Sequence, residues 1–462
     1  MSKYYLFLGR QHEALPFREQ HIVLEELSSL YGVSISDQFL VLPARGTDYE
    51  AVWPAVMNVV RADQSTGMVT LEAGKLYNKK VFVDRARNIL NRVLSVGINS
   101  ITQIEFEAIV AEMGGQRVKE EEMLQHIKHY IAAKGYYFDD ETLYNYHICL
   151  KTRPLVILAG LSGTGKSKLS QLYAEAIGHK DQNGRYLRLA VRPSWNDDRF
   201  LLGYQNTITG EYVTEPALDF IIRAEADRDS LYFFCLDEMN LAHVEYYFSQ
   251  FLSALEEEPA ARKLLLMSET TKSRLQKEGK HLDVPSEVII PTNLLFTGTI
   301  NVDETTQALS DKVIDRANTL EFFDVELDKI PDRRPLPEQI TVSASAWQSY
   351  FVDQPDTNYR TQILAINTIL KKADLGIGFR VLRDIELYLA NSKNILSPLV
   401  AFDLQVKQRI LPRVRGSDSE AMRGMLENLI GFVKQNKLSR SQARLEEMKA
   451  RLGNYGYTSF WR

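Results

Sequence analysis

The stretch that decides the fold is LVILAGLSGTGKSKLSQLYAEAIG, residues 155–178. Its opening run, LVILA, reads as a buried strand, and KSKLSQLYAEA has the apolar spacing of an amphipathic helix. Between them Gly160 to Ser167 fits G-x-x-x-x-G-K-[ST]. The chemistry demands that context. Glycines let backbone N–H groups close around phosphate oxygens, and the helix N-terminus adds the positive end of its dipole. Gly160, Ser162, Gly163, Thr164, Gly165, Lys166 and Ser167 are therefore expected to bind a nucleotide. Lys166 is expected to reach the β and γ phosphates, and the Ser167 hydroxyl to ligate Mg²⁺. The bland alternative, an ordinary glycine turn, has no reason to sit between such a strand and such a helix.

Working outward, strand-like runs alternate with helical ones: LVILA (155–159), YLRLAV (186–191), LYFFCL (231–236), VIIP (288–291) and LLFTGTI (294–300). That alternation predicts an α/β fold with a parallel sheet flanked by helices. LYFFCL runs into Asp237-Glu238-Met239-Asn240. A buried strand ending in two acids places Asp237 beside the phosphates to hold the metal's water shell. Glu238 is then placed to polarise the attacking water. Acids at a strand end are often mere solvated charges, and it is the upstream phosphate loop that gives this pair its meaning.

Residues 1–100 read as a mixed α/β domain. His21–Leu30 has helical spacing, whereas Gln38–Leu42, Gly67–Leu71 and Lys80–Asp84 look like strands. Residues 101–150 read as a helical connector, with a helix starting at Asp139-Asp140 and stopped by Pro154. Residues 151–328 form the nucleotide-binding core. Residues 329–462 form a helical lid and tail, joined through the Pro-rich PDRRPLPEQ (331–339).

Composition narrows the class. The 462 residues carry 55 Lys and Arg against 60 Asp and Glu, net −5, which excludes a polybasic nucleic-acid binder but not a local basic surface. Two cysteines, Cys149 and Cys235, exclude a disulfide framework and a cysteine metal site. With no signal-like N-terminus and no long apolar run, a cytoplasmic protein without a membrane span is expected.

These motifs together resemble the AAA+ arrangement. Two acids after a core strand, followed by Thr299-Ile300-Asn301 at the end of a later one, look like Walker B and sensor 1. The resemblance implies that Asn301 contacts the γ-phosphate and the lytic water. Arg316, in LSDKVIDRANTLEF, resembles the arginine finger offered to a neighbouring subunit, with a helix-capping surface arginine as the alternative. Gly376-Ile-Gly-Phe-Arg380-Val-Leu-Arg383 resembles the sensor-2 stretch of the lid, with Arg380 as phosphate contact and Arg383 as the alternate.

Within AAA+ proteins, residues 135–462 resemble the McrB-type motor of modification-dependent restriction systems. The segments that carry this are 152–176, 192–212 (RPSWNDDRFLLGYQNTITGEY), 236–256, 296–322, 404–416 (LQVKQRILPRVRG) and 456–462 (GYTSFWR). The resemblance implies a hexameric ring driven by NTP hydrolysis, acting on DNA, modified or not. It also implies a separate McrC-like subunit with a PD-(D/E)xK nuclease, in antiviral defence. GTP-using members carry M-N-x-x-D-R at sensor 1, whereas this chain reads Ile300-Asn301-Val302-Asp303-Glu304-Thr305, so both ATP and GTP stay open.

Other features allow two readings. Trp195 and Tyr204 could be pore or DNA-contacting aromatics, or packing residues. Lys75, Lys79, Lys80, Arg85, Arg87 and Arg92 cluster around Tyr77 and could grip phosphates, or form a solvated face. Trp53 is a candidate wall for a flipped base. Residues 403–462 hold twelve Lys and Arg against six Asp and Glu, a basic lid end that suits DNA, an acidic partner or nucleotide phosphates. The aromatic tail Tyr457 to Arg462 is expected to dock on the lid, a neighbour or a partner. A MoxR-like or chaperone-like AAA+ ATPase that remodels proteins is the second functional class. A P-loop kinase or inert scaffold is disfavoured, because it has no need of Glu238, Asn301, Arg316 and Arg380 together.

Overall fold

The structure, a computed structural model, describes residues 4–9, 21–24, 38–43, 55–63, 68–76 and 97–101. It further describes 118–461, apart from 207–208, 210, 278–283, 303–306, 308, 324–327 and 330–334. The chain forms two units, Met1–Val118 and Lys119–Arg462.

The described part of the first unit is a six-stranded mixed sheet: β1 (Tyr4–Gly9), β2 (His21–Leu24), β3 (Gln38–Pro43), β4 (Ala55–Asp63), β5 (Met68–Leu76) and β6 (Gly97–Ile101). The strands lie in the order β2-β5-β4-β3-β1-β6. Only β1 and β3 run parallel; the other pairs are antiparallel. His21–Leu24, expected to open a helix, is instead a strand paired with Val69–Glu72. Its HIVL is β-branched and apolar, and pairing with β5 overrides a periodicity supplied by only a few residues. Trp53, Tyr77, Lys79, Lys80, Arg85, Arg87 and Arg92 lie outside the described residues, and Lys75 lies on β5.

The second unit begins with two helices, α1 (Glu120–Ala133) and α2 (Asp140–Thr152). Asp139 caps α2, its carboxylate accepting from the Thr142 amide at 2.8 Å, and Arg153, immediately before Pro154, is already extended. Five parallel strands follow: β7 (Leu155–Gly160), β8 (Tyr186–Ala190), β9 (Tyr232–Asp237), β12 (Leu294–Asn301) and β13 (Asn318–Phe322). Between β9 and β12 a separate antiparallel ribbon is inserted, β10 (Lys263–Leu265) with β11 (Glu287–Ile289). The VIIP run therefore belongs to this ribbon and not to the parallel sheet. Residue type marks it as buried strand, but the choice of sheet is set by the pairing partner.

The parallel sheet has the order β13-β7-β12-β9-β8. Helix α3 (Lys166–Ala176) leaves β7 through the glycine loop, and α4 (Pro216–Ala226) packs on the same sheet. Every residue of β7 and β9 is buried, as both faces of a covered parallel sheet require. One continuous core, including Ile157, Phe220, Phe234, Phe251 and Phe296, fixes the strand ends that carry the site.

The lid is helical: α5 (Arg360–Leu370), α6 (Phe379–Asn391), α7 (Pro398–Gln405), α8 (Glu420–Gln435) and α9 (Ser439–Tyr455). Helix α7 continues into a π-turn at Val406–Ile410. Tyr457–Ser459 pairs with Arg415–Ser417, and Phe460 is buried under the Arg444 guanidinium, so the aromatic tail docks on its own lid. The lid's cationic excess is drawn inward. Lys407 and Arg444 meet Glu321, Arg413 meets Asp315, Arg415 meets Asp311 and Arg440 meets Glu141, all acids of the core or its connector. These five cations hold the lid to the core, while Arg423, Lys434 and Lys449 pair with acids of the lid itself and stay exposed on its surface.

Candidate functional site

The glycine loop is shaped by two different constraints. Gly163 and Gly165 have φ of +78° and +90°, a conformation that only glycine adopts without strain. Gly160 is required for another reason: a Cβ there would lie 2.0 Å from the Phe322 carbonyl oxygen on β13. Its demand comes from the neighbouring strand. Gly160→Ala is expected to destabilise the folded protein by about 1–3 kcal/mol, as overpacking does, seen as a lower urea midpoint at unchanged slope. An unchanged midpoint would refute this reading of the strand contact.

Lys166 is 6% exposed, and its ammonium donates to the carbonyls of Gly160 at 3.1 Å and Leu161 at 2.5 Å. Burial pulls its pKa down, opposed by the charges of Asp237 and Glu238. Thr164 Oγ1 donates to the Leu161 carbonyl at 2.9 Å, and Ser162 is exposed at the loop tip.

Ser167 Oγ donates to Asp237 Oδ1 at 2.5 Å, so strand end and helix start meet as the motif pairing requires. Thr299 Oγ1 donates to the same oxygen at 2.7 Å, and Arg188 pairs with Oδ2 at 2.9 Å. A hydroxyl beside a carboxylate suits a hard divalent cation. Among the described residues no cluster of three or more His, Cys, Asp or Glu could hold a metal unaided. Such a pair suits a cation that completes its shell with water and phosphate, as Mg²⁺ does.

Glu238 stands in the left-handed region, φ 54° and ψ 45°, rare for a residue with a side chain. Its amide donates to Thr299 Oγ1 at 2.9 Å, and its Oε1 accepts from Asn301 Nδ2 at 3.2 Å. Asn240 closes the unit. Its Nδ2 donates to the Asn301 carbonyl at 2.8 Å, while its Oδ1 accepts from the Asn301 amide at 3.2 Å. The ends of β9 and β12 are thus stitched together, and Lys166, Ser167, Asp237, Glu238 and Asn301 converge at the carboxyl ends of the three central strands.

Arg316 and Arg380 lie together elsewhere. Arg316 donates from Nε to the Leu252 carbonyl at 2.9 Å and pairs with Glu256 at 2.8 Å, while Arg380 pairs with the other oxygen of Glu256. Burial tends to raise the Glu256 pKa, but hydrogen bonds from Arg380 and Arg316 outweigh it and keep the carboxyl below its usual value. Neither arginine bonds the glycine loop among the described residues. Arg383 is exposed on α6, and Asp303, Glu304 and Thr305 lie outside the described residues. Trp195 is buried, stacked on Phe200 at 5.8 Å and edge-on to Tyr247, which is packing, whereas Tyr204 is 46% exposed.

Sequence reasoning gave no role to Arg188, Thr299 or Glu256. Arg188 had a signal, a cation opposite the core-facing leucines of YLRLA. Thr299 sits inside the sensor motif, one pleat from Asn301. Nothing near Glu256 in sequence marks it as a partner for arginines so far downstream.

Residues 155–317 match the family described as AAA domain (dynein-related subfamily). This part of the chain is an AAA+ NTPase domain. Residues 341–457 match a domain of unknown function, DUF8727, which coincides with most of the lid. No curated protein matches. Among solved structures, a candidate ATPase from Cytophaga hutchinsonii is 13% identical at a TM-score of 0.40, covering 64% of this chain and 84% of that one. The AAA+ core and its helical lid make up an α/β P-loop fold, the class of a nucleotide-binding domain. No helix among the described residues is long and apolar enough to cross a membrane.

Proposed function

We propose that the chain is an Mg²⁺-dependent NTP hydrolase that assembles as a ring motor on DNA. In this reading the motor activates a separate McrC-like PD-(D/E)xK nuclease in a restriction system. The observation that carries it is a contact between two distant segments of the McrB-like resemblance. Arg409, in LQVKQRILPRVRG, donates to the carbonyls of Ile314 and Ala317, which flank Arg316 in DKVIDRANTLEF. The resemblance therefore falls on residues that fold against each other and not on the nucleotide motif alone, which all P-loop proteins share.

In this reading Lys166 and the loop amides hold the phosphates, while Ser167 and Asp237 hold Mg²⁺. Held there, the ion would neutralise charge on the phosphates. Glu238 accepts a proton from the attacking water, and Asn301, bonded to Glu238, orients both. Arg316, held by Glu256 and the Leu252 carbonyl apart from its own glycine loop, serves the site next door. The N-terminal sheet is the remaining place for target recognition.

Phosphate release by the purified chain tests this. ATP and GTP are compared in Mg²⁺, each with and without DNA, with Glu238→Gln as the blank. Turnover with either nucleotide that rises several-fold with DNA or a nuclease partner supports the motor. Turnover indifferent to DNA and raised by a protein client moves the remodelling ATPase ahead.

A further inference from the structure

We propose that Arg409 is a positioning residue for Arg316, and that through it the lid governs whether a subunit's finger is presented to the neighbouring site. The inference rests on the reading that Arg316 acts on a neighbour, and it adds what sets Arg316 in place.

Arg409 is 1% exposed, and lies in the π-turn that continues α7. An extra residue in a helical turn re-aims the side chains after it, and such turns concentrate at functional places. Its guanidinium donates to the carbonyls of Ile314 at 2.9 Å, Asp315 at 3.0 Å and Ala317 at 2.5 Å, and to Asp384 Oδ2 at 2.9 Å. The three carbonyls bracket Arg316 on both sides, just where the short helix Asp311–Ile314 ends. No side chain other than arginine offers a rigid fork with donors enough for three carbonyls and a carboxylate. Arg413 adds a second hold, donating to the Arg409 carbonyl at 3.2 Å and pairing with Asp315 at 2.5 Å.

The other end of the network decides what the hold is for. Asp384, which receives Arg409, lies on α6 one turn beyond Arg380, so the two share a face. Arg380 pairs with Glu256, and Glu256 pairs with the Arg316 guanidinium. Helix α6 therefore grips the finger twice: through Glu256 at its side chain, and through Asp384 and Arg409 at its backbone. Asp384 also takes Arg153, at the foot of β7, so the same helix is anchored to the strand that ends in the phosphate loop. A rotation of α6 that carries Arg380 off Glu256 toward a phosphate frees the Arg316 side chain. Asp384 turns with the same helix, so the Arg409 fork moves with it and re-aims the backbone on either side of Arg316. Lid closure over one nucleotide and delivery of the finger to the next site become one motion.

The test is complementation with Arg409→Met. Alone, this variant is expected to lose turnover by on the order of 10²-fold or more, the scale of a mislaid finger, while binding fluorescent ATP within about threefold of the parent. Mixed with Glu238→Gln subunits it is expected to regain turnover, because its own site is intact and the neighbour supplies a correctly held Arg316. A purely structural brace would not be rescued by a neighbour. Arg409→Lys keeps the charge without the fork and is expected to behave as Met does. If Arg409→Met does not fold, Asp384→Asn releases the fork without opening a cavity and is expected to give the same rescue. Wild-type turnover by Arg409→Met, or no rescue where Arg316→Ala is rescued by the same Glu238→Gln subunits, overturns the positioning role. Failure of the Arg316→Ala mixture in verified mixed rings removes the neighbour reading itself, and this inference with it.

Discussion

Lys166→Ala is expected to abolish nucleotide binding, whereas Glu238→Gln keeps it and loses turnover by on the order of 10³-fold, leaving the ring loaded with NTP. The two residues have different charges and different partners, and their different effects follow from that. Lys166 is buried and donates to carbonyls of its own loop, so its charge is stripped of water before any phosphate arrives. Charge-assisted hydrogen bonds to phosphate contribute about 1.5–3 kcal/mol each, and losing two costs roughly 10²- to 10⁴-fold in affinity. Glutamine at 238 keeps the volume and an oxygen able to accept from Asn301 Nδ2, and the backbone amide still bonds Thr299. Only the negative charge that, in the proposed mechanism, would accept the water's proton is gone. Titration with a fluorescent nucleotide, beside single-turnover phosphate release, separates the cases. Equal loss of binding in both variants would contradict this division of roles.

How much of this was legible before the structure depends on how local the signal is. The phosphate loop was legible because its chemistry, its glycine conformations and its strand–helix context occupy one continuous stretch. The acids of β9 were legible as a pair but not in their partners, since Thr299 and Arg188 reach Asp237 from two flanking strands. The fifth strand, NTLEF, carries little strand signal in its sequence. It is short and edge-placed, and opens with two polar residues, Asn318 and Thr319, that become buried once β7 pairs beside them and α2 and the π-turn pack against the strand. VIIP was recognised as a strand and assigned to the wrong sheet for the complementary reason: burial is written in residue type, but partnership is not. The helical spacing at His21 rested on too few residues to outweigh pairing with β5. The motifs mark Arg316 and Arg380 themselves, but the contacts that join the arginines were illegible. Glu256, Arg316, Arg409 and the α6 pair Arg380 and Asp384 come from four separate segments, and only folding the lid onto the core brings them within reach.

Arg316→Ala and Glu238→Gln subunits are each expected to be inactive alone, by 10³-fold or so, and to regain turnover when mixed into one ring. The argument starts from where Arg316 is. Its guanidinium is held by Glu256 and by the Leu252 carbonyl, beyond bonding reach of Lys166, Ser167 and Asp237 in its own subunit. An arginine used in cis would stand among them, because the charge that develops on the transferred phosphoryl must be met within hydrogen-bond distance. In a mixed ring an Arg316→Ala subunit keeps its own loop, metal pair and Glu238. A Glu238→Gln neighbour keeps its Arg316, so the interface between them holds one complete site. Of the four pairings at a random interface only this one is competent, so an equal mixture should approach a quarter of wild-type turnover if sites fire independently. Turnover well below that, in rings shown to be mixed, would mean that neighbouring sites must fire in concert. No recovery at all would place Arg316 in the service of its own subunit. It would then have to leave Glu256 and cross to the phosphates of the same chain, a movement that spectroscopic distances between α6 and the glycine loop would register on nucleotide binding.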